Sequence, residues 1–175
     1  MPDQQARTVL ITGCSSGIGE QLALTFAARG FTVFATARKV GSLKHLTEKH
    51  DNIVPLSLEL GDMKCFEALR DAVAGHTGGR LDILVNNAGT HYAATALDLD
   101  VQEAMNLFSI NVFAVMRLCQ LFIPLLRQSS RGQIVQIGSV TRQVPVVWQC
   151  AYNASKAALS QYTRTLRVVS KLDHP

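Results

Sequence analysis

The feature that most constrains the fold is a strand followed by a glycine-rich turn and a helix, close to the start of the chain. Residues 8–12 form a short apolar and β-branched run that ends at Gly13, and Ile18, Leu22 and Phe26 follow at helical spacing. A strand that leads directly into a helix predicts a βα unit of a parallel sheet.

The turn carries three glycines in a G-x-x-x-G-x-G pattern, at Gly13, Gly17 and Gly19. Glycines let the backbone approach a pyrophosphate closely, and the free N–H groups and dipole at the helix start attract its charge. The candidate pyrophosphate site also includes Ser15, Ser16 and Ile18. A glycine-rich βα turn without a ligand has the same appearance, so the rest of the chain must distinguish the two.

Strands and helices continue to alternate along the chain. We expect further strands at residues 31–36, 53–58, 81–85 and 133–137, and helices at residues 63–74 and at Val101–Arg127. The first helix should close at Gly30. With 175 residues, of which 47% are hydrophobic, the chain can bury one core. The pattern predicts an α/β fold in which a doubly wound parallel sheet has helices on both faces, as one domain over residues 1–175.

A position shortly after the second strand, about 20 residues beyond the glycine turn, indicates the cofactor. An acidic residue there would hold the ribose 2′-hydroxyl of NAD, whereas an arginine accommodates the 2′-phosphate of NADP. Arg38 occupies this position, and residues 31–47 contain no Asp or Glu. A guanidinium offers the phosphate charge-assisted hydrogen bonds. NADP is therefore favoured, with a solvated loop arginine as the alternative.

Two polar features lie after the fourth strand. Asn87, Ala88 and Gly89 follow it at the carboxyl edge, where ligands bind in such sheets, although such residues also fix loops by local hydrogen bonds. Asn111 is a polar residue on an otherwise apolar surface of the helix Val101–Arg127. A buried asparagine needs hydrogen-bond partners, so a purely structural role in the core is its alternative reading.

A phenol and an amine lie one helical turn apart in Tyr152-Asn153-Ala154-Ser155-Lys156. A nearby ammonium favours the ionised form of a phenol, so the pair is a candidate proton-transfer device. By spacing alone, a tyrosine and a solvated lysine without function would look the same. Ser139 follows the fifth strand, and we expect it to converge with Tyr152 above the sheet.

Composition excludes several other classes. The formal charge of +4 is scattered without a basic run, which argues against a nucleic-acid partner. The four cysteines are widely spaced and indicate neither a metal site nor a disulfide framework, so reduced thiols in the cytoplasm fit best. The N-terminus does not resemble a signal peptide, and polar residues interrupt the most apolar helix, so we expect no transmembrane segment.

Taken in order, these motifs make the sequence resemble the short-chain dehydrogenase/reductase family over residues 8–166. The motifs are Thr12-Gly13-x-x-x-Gly17-Ile18-Gly19, Asn86-Asn87-Ala88-Gly89, Asn111, Ser139 and Tyr152-x-x-x-Lys156. The resemblance implies a Rossmann fold and an NADPH-dependent oxidoreductase that interconverts a carbonyl and an alcohol. A lipid, steroid or secondary-metabolite intermediate would be the small-molecule substrate.

The same resemblance implies roles for single residues. Tyr152 would be the general acid or base, Ser139 would bind the substrate oxygen, and Lys156 would hold the nicotinamide ribose. Asn111 would support a water that relays protons to Lys156. Residues 13–19 would hold the pyrophosphate, and Asn87 would lie against the adenosine side of the cofactor.

Two departures from the family pattern are visible. Glu59-Leu60 stands beside the adenine position, where the family has Asp followed by Val. The chain also ends where the family continues with its last strands and a substrate lid, so the alternative function is a catalytically inactive nucleotide-binding remnant or regulatory module. Finally, the apolar circumference of Val101–Arg127 predicts a homo-oligomer, because one sheet face cannot cover it.

Overall fold

The structure is a computed structural model that describes residues 6–172, with side chains to Val169. Its contacts divide the chain into two compact units. The first contains Met1–Ala88 and Met116–Val135, and the second contains Gly89–Val115 and Gln136–Pro175.

The first unit is built on a sheet whose strands alternate with helices. Its elements are β1 (Thr8–Ile11), α1 (Gly17–Ala28), β2 (Thr32–Ala37), α2 (Lys44–Thr47), β3 (Ile53–Ser57), α3 (Phe66–Thr77), β4 (Ile83–Asn86), α5 (Ala114–Arg127) from Met116 onward, and β5 (Gln133–Gln136). Short 3₁₀ turns at Val40–Leu43 and Met63–Cys65 precede α2 and α3. All five predicted strands are present, each within two residues of its expected ends.

The sheet has the strand order β3-β2-β1-β4-β5. The pairs β1–β2, β1–β4 and β2–β3 are parallel, and Leu10 of β1 lies between Phe34 of β2 and Leu84 of β4. All three side chains are fully buried, so the core is centred on β1. This order reverses direction between β1 and β4, which is where a doubly wound sheet binds its ligand. The expected fold class is thus confirmed.

Helices cover both faces of this sheet. Since β-α-β crossovers are right-handed, α1 and α2 lie on one face while α3 and α5 lie on the other. An ion pair supports the second assignment, because Arg117 Nη2 of α5 donates to Glu67 Oε1 of α3 at 2.5 Å. The hydrogen bond from Arg117 lowers the pKa of Glu67.

A buried carboxylate, Asp82, lies at the edge of the sheet where β1 and β4 begin, opposite the edge that carries the glycine turn. Asp82 Oδ2 accepts hydrogen bonds from the Thr8 backbone N at 2.7 Å and from Thr8 Oγ1 at 3.1 Å, while Asp82 Oδ1 accepts one from Ser129 Oγ at 2.6 Å. Burial raises the pKa of Asp82, but the hydrogen bonds from Ser129 and Thr8 outweigh it and hold that pKa below its usual range. Asp82 therefore ties the start of β1 to the segment between α5 and β5.

The second unit contains α4 (Val101–Phe108), a 3₁₀ turn at Val140–Arg142 and α6 (Cys150–Leu172), which packs against both. We expected one regular helix over Val101–Arg127. Instead, a π-helical turn at Ser109–Phe113 separates α4 from α5. Such turns widen a helix by one residue and recur at functional sites. The turn places Asn111, which is 1% exposed, against α6.

Within the described residues, Val101–Arg127 is the one helix long and apolar enough to cross a membrane. More than half of its most apolar window is buried, as in the core helix of a folded domain. Most of the apolar residues that suggested an uncovered surface are buried within the chain, including Leu107, Val112 and Phe122. The apolar side chains left exposed on this helix are Val101, Met105 and Phe113.

Candidate active site

The glycine turn of the first unit is closely packed around Gly19. A Cβ on Gly19 would lie 2.1 Å from the carbonyl oxygen of Gly13 and 2.5 Å from Asn87 Nδ2, so no other residue fits there. Gly13 has a φ of +73°, which disfavours residues with a side chain. The backbone of this turn therefore approaches its neighbours as closely as a glycine permits.

A hydrogen-bond network joins the turn after β1 to the loop after β4. Thr12 Oγ1 accepts bonds from the backbone N of Asn87 at 3.0 Å and of Ala88 at 2.9 Å. Asn87 Nδ2 donates to the carbonyl oxygens of Thr12 at 2.9 Å and Gly13 at 3.1 Å. The sequence predicted Asn87 at this edge but assigned no role to Thr12. The feature of the sequence that could have pointed to Thr12 is a hydroxyl side chain directly after the apolar run Val9-Leu10-Ile11.

The start of α1 is open to a ligand. Ser16 is the N-cap residue, but its side chain makes no capping hydrogen bond, so the first N–H groups of α1 lack a side-chain acceptor. Ser15, Ser16, Gly17 and Ile18 are exposed, and no atom lies within 4 Å of where a Cβ on Gly17 would stand. Open space beside a positive helix end fits a pyrophosphate.

The thiol inside this turn is not part of the open surface. Cys14 is buried and donates a hydrogen bond from Sγ to the carbonyl oxygen of Ile11 at 3.2 Å. Burial raises the pKa of Cys14 to about 12, so the thiol stays protonated near neutral pH. Cys14 thus packs beneath the turn rather than acting as a nucleophile.

The residues predicted for the adenosine side lie after β2 and β3. Arg38 is exposed immediately after β2, whose Thr36 carbonyl accepts a hydrogen bond from Cys14 N at 2.8 Å. This places Arg38 at the same edge as the glycine turn. After β3, Glu59 Oε1 accepts a bond from Gly61 N at 3.2 Å, and Leu60 is buried. The Glu59 carboxylate is therefore engaged with its own loop.

In the second unit, both polar atoms of the Asn111 side chain are hydrogen-bonded. Its Oδ1 accepts from Thr90 N at 2.8 Å, and its Nδ2 donates to Thr90 O at 2.8 Å and to Ser155 Oγ at 3.2 Å. Ser155 Oγ in turn donates to the Tyr152 carbonyl oxygen at 2.8 Å. The amide of Asn111 therefore links the segment after Gly89 to the helix that carries Tyr152.

The amine of Lys156 lies inside the same unit. Lys156 is 6% exposed, and its Nζ donates to the carbonyl oxygen of Ile137 at 2.8 Å. Nζ also lies 5.7 Å from the centre of the Tyr152 ring. Burial lowers the pKa of Lys156, since the charged form loses hydration. These contacts exclude the solvated-lysine interpretation of the Tyr-x-x-x-Lys spacing.

Ser139 is the N-cap residue of the 3₁₀ turn Val140–Arg142. Its Oγ accepts hydrogen bonds from Thr141 N at 3.2 Å and from Thr141 Oγ1 at 2.9 Å. With two bonds accepted, the hydroxyl proton of Ser139 is the group that it can offer to a ligand oxygen. The turn packs against α6, as does the π-helical turn that carries Asn111.

Gly89 lies close to two of the candidate site residues of the second unit, Asn111 and Lys156. A Cβ on Gly89 would lie 3.1 Å from Asn111 Oδ1 and 4.0 Å from Lys156 Nζ. The sequence did not single out Thr90 or Ser155 as partners of Asn111. Ser155 had one available signal, since it lies within the Tyr-x-x-x-Lys segment and next to a lysine that turns inward.

Comparison with known proteins identifies the family. The model of the short chain dehydrogenase family matches residues 7–171. The chain is similar to the short-chain dehydrogenase PC-15 of Penicillium crustosum, at 44% identity over 95% of this chain and 61% of the relative. It is also similar to an NADPH-dependent 1-acyldihydroxyacetone phosphate reductase of Schizosaccharomyces pombe, at 40% identity over 91% of this chain and 53% of the relative.

Solved structures show the same relationship. A short-chain dehydrogenase from Streptomyces avermitilis superposes with a TM-score of 0.88 at 34% identity, covering 93% of this chain and 60% of that chain. A metagenomic short-chain oxidoreductase in complex with NADP gives a TM-score of 0.85 at 28% identity, covering 91% and 74%. The chain spans less than two thirds of the curated relatives described above. Its fold is the Rossmann fold, and the chain belongs to the short-chain dehydrogenase family of nicotinamide-dependent oxidoreductases.

Proposed function

We propose that the protein is an NADP(H)-dependent oxidoreductase that interconverts a carbonyl compound and its alcohol, with Tyr152 as the proton donor or acceptor. The observation that carries this proposal is the buried ammonium of Lys156, 5.7 Å from the centre of the Tyr152 ring. An ammonium is costly to bury, and a structural role for the pair would not require its charge.

Reduction of a carbonyl requires a hydride at carbon and a proton at oxygen. A bound nicotinamide cofactor supplies the hydride in this direction and accepts it in the other. The Tyr152 hydroxyl gives its proton to the carbonyl oxygen and takes it back in alcohol oxidation. Lys156 stabilises the phenolate left on Tyr152, and Ser139 donates a hydrogen bond to the same substrate oxygen.

Asn111 contributes by position. Its side-chain atoms are bonded to Thr90 and Ser155, so its amide holds α6 in place rather than contacting a substrate. The proposal also includes a water that relays protons to Lys156, with Asn111 as the residue that supports it.

NADP is proposed over NAD because of Arg38, an exposed cation at the end of β2 with no acidic residue in residues 31–47. The pyrophosphate would be held by residues 13–19, and the adenosine side by Arg38, Leu60 and Asn87, with Ala88 and Gly89 continuing that loop. The S. pombe relative is named as NADPH-dependent, and the metagenomic relative was solved with NADP.

The proposed location is the cytoplasm, since none of the four cysteines, all of which lie among the described residues, forms a disulfide. We also propose a homo-oligomer in which Val101, Met105 and Phe113 are covered by a second copy. These side chains are apolar and more than half exposed. Sedimentation of the intact protein beside Phe113→Asp tests this assembly, and a monomer at micromolar concentration in both cases would contradict it.

A second candidate is a nucleotide-binding module without turnover. The chain spans 53% to 61% of the two curated relatives described above, so its turnover must be tested directly. The discriminating experiment follows NADPH and NADH oxidation by the purified protein with a panel of aldehydes and ketones. The proposed enzyme oxidises NADPH faster than NADH with at least one carbonyl. Tight NADPH binding without turnover on any carbonyl would favour the second candidate.

A further inference from the structure

Five arginines of the first unit lie at the edge of the sheet where the strands begin, and we call them the arginine edge. Each one stands within three residues before a strand or ends a helix: Arg7, Arg29, Arg80, Arg127 and Arg131. The sequence does not show this cluster, because its members come from separate segments that lead into β1, β2, β4 and β5. The glycine turn and Arg38 lie at the opposite edge of the same sheet.

Contacts of the fold fix the arginines that precede β1 and β2. The Arg7 carbonyl oxygen accepts a hydrogen bond from Thr32 N, at the start of β2, at 2.8 Å. The guanidinium carbon of Arg7 lies 4.9 Å from the centre of the Phe31 ring. Arg29 is the C-cap residue of α1, and its backbone N–H bonds to the last turn of that helix. Both arginines are therefore held at the point where β1 and β2 begin.

The segments that precede β4 and β5 are joined in the same way. Leu81 N donates to the Leu125 carbonyl oxygen at 3.1 Å, which ties the start of β4 to the last turn of α5. Ser129 Oγ accepts from Arg131 N at 3.1 Å and donates to Asp82 Oδ1 at 2.6 Å. These bonds place the end of α5 and the start of β5 beside the start of β4.

The charge at this edge is mostly positive. Three members of the arginine edge are exposed: Arg29, Arg127 and Arg131. The one acidic residue on the segments that carry the five arginines is Asp82, which is buried and hydrogen-bonded, with Arg80 Nη2 4.0 Å from its Oδ2. Among the described residues, neither Arg29 nor Arg131 takes part in an ion pair.

A structural role for these arginines explains only part of their charge. The helices α1, α3 and α5 end at this edge. Each helix end is equivalent to roughly half a negative charge, which a nearby cation offsets. The three helix ends and Asp82 together balance about half of the arginine charge. The remainder is positive charge at an exposed edge, and it fits an extended anionic surface.

An anionic lipid surface fits this edge better than a nucleic acid does. The strands β2, β1, β4 and β5 are neighbours in the sheet, so the arginines are spread over about 14 Å at the usual strand spacing. Clusters of basic residues of this size bind anionic bilayers. Single-stranded nucleic acids also need aromatic rings for base stacking. Phe31, the aromatic residue at this edge, packs against Arg7 and Phe26.

We propose that the arginine edge binds the anionic phospholipid surface of a membrane, without inserting any part of the first unit into the bilayer. The segments that carry the five arginines include no large, exposed apolar side chain, so the attraction is electrostatic. Because the glycine turn lies at the opposite edge, the protein binds NADPH while it is on the membrane. This proposal is independent of the proposed function, since it involves no candidate catalytic residue.

Sedimentation with vesicles tests the proposal on the unmodified protein. We expect binding to vesicles of phosphatidylserine mixed with phosphatidylcholine, and none to vesicles of phosphatidylcholine alone. Raising the ionic strength from about 0.1 M to about 1 M shortens the screening length from about 10 Å to about 3 Å and should release the protein. Its NADPH affinity should be the same with and without vesicles.

Charge reversals then locate the binding. The double variant Arg29→Glu/Arg131→Glu should bind vesicles at least about twentyfold more weakly, since each basic residue near an anionic surface contributes about fivefold. Lys44→Glu/Lys64→Glu is the matched control, because it makes the same change in net charge at exposed lysines that follow the carboxyl ends of β2 and β3. The control should keep its affinity within about threefold. Arg29→Lys/Arg131→Lys preserves the charge and should bind like the unmodified protein.

Three results would overturn the proposal. One is no binding to phosphatidylserine vesicles at about 0.1 M ionic strength. Another is an equal loss of affinity in the two glutamate double variants, which would show that affinity follows net charge alone. The third is tighter binding to a short DNA duplex than to the vesicles, which would identify nucleic acid as the partner. The proposed function is tested separately, by carbonyl-dependent NADPH oxidation, which the arginine variants should leave unchanged.

Discussion

Asn111 and Ser155 lie 44 residues apart in the sequence, and their side chains meet in a buried hydrogen bond of 3.2 Å between Nδ2 and Oγ. Ser155 is fully buried, and its hydroxyl also donates to the Tyr152 carbonyl oxygen. This contact links the π-helical turn to the turn of α6 that carries Tyr152 and Lys156. We therefore predict that Ser155 positions both.

The first prediction concerns this contact. Ser155→Ala removes an acceptor from Asn111 Nδ2 and should lower the free energy of unfolding by about 1–3 kcal/mol, since a buried polar partner is lost. Thr163→Ala is the control, because among the described residues Thr163 Oγ1 bonds only to the Leu159 carbonyl oxygen, one turn earlier on the same helix. Urea unfolding compares the two variants. If both variants lose the same free energy of unfolding, the hydrogen bond between Asn111 and Ser155 adds no stability beyond that of a hydroxyl–carbonyl bond within the helix.

A second prediction concerns the glycine turn. Gly19→Ala should abolish measurable NADPH binding, because its Cβ would overlap the Gly13 carbonyl oxygen and Asn87 Nδ2. Gly75→Ala is the matched control. Gly75 lies within α3, has no atom within 4 Å of an added Cβ, and should gain about 0.5–1 kcal/mol of stability from helix propensity. Fluorescence titration with NADPH checks both, and unchanged affinity in Gly19→Ala would refute the packing argument.

Arg38 provides the third prediction. Arg38→Asp should weaken NADPH binding by about ten- to a hundredfold, since a charge-assisted contact worth about 1.5–3 kcal/mol is replaced by repulsion. NADH binding should be unchanged or improved. Arg29→Asp makes the same charge change at an exposed position after α1, at the opposite end of that helix from the glycine turn. If both variants lose NADPH affinity equally, the effect is general electrostatics and not recognition of the 2′-phosphate.

The fourth prediction is a pH dependence. Because the pKa of Asp82 is depressed in the folded state, its ionised form adds stability that is present above the unfolded value of about 3.9 and is lost as the pH falls through the folded pKa. Asp82→Asn should be less stable than the unmodified protein at pH 7, and the difference should shrink towards pH 4 and below. Asp51→Asn removes the same charge at an exposed site and is the matched control. Urea unfolding at several pH values measures this, and a difference independent of pH would contradict it.

Much of the fold was predictable because it follows from local pattern. Apolar runs such as β1 mark strands, and Gly30, with a φ of +80°, ends the first helix as expected. What sequence reasoning missed depends on distant contacts or on short elements. The helix predicted at residues 63–74 begins as a 3₁₀ turn, Met63–Cys65, because the Asp62 side chain caps that turn at Lys64 N. Its α-helical part is Phe66–Thr77. The short helical elements Val40–Leu43 and Lys44–Thr47 carry too few residues to show a period.

The candidate site shows the same division. Tyr152, Lys156 and Asn111 could be proposed as candidates from motifs. The partners of Asn111 were not predictable, because Thr90 and Ser155 approach it only when the chain folds. The π-helical turn has no local signature in Ser109–Phe113 that distinguishes it from an α-helix.

The central claim is that Tyr152 transfers the proton. The direct measurement is the rate of carbonyl-dependent NADPH oxidation by Tyr152→Phe, with NADPH affinity measured in the same preparation. Tyr162→Phe is the control, since Tyr162 lies on α6 about 15 Å along the helix axis from Tyr152. We predict that Tyr152→Phe loses at least about a hundredfold in rate while its NADPH affinity changes by less than about twofold, and that Tyr162→Phe keeps its rate. A Tyr152→Phe variant that retained the unmodified rate would contradict the account.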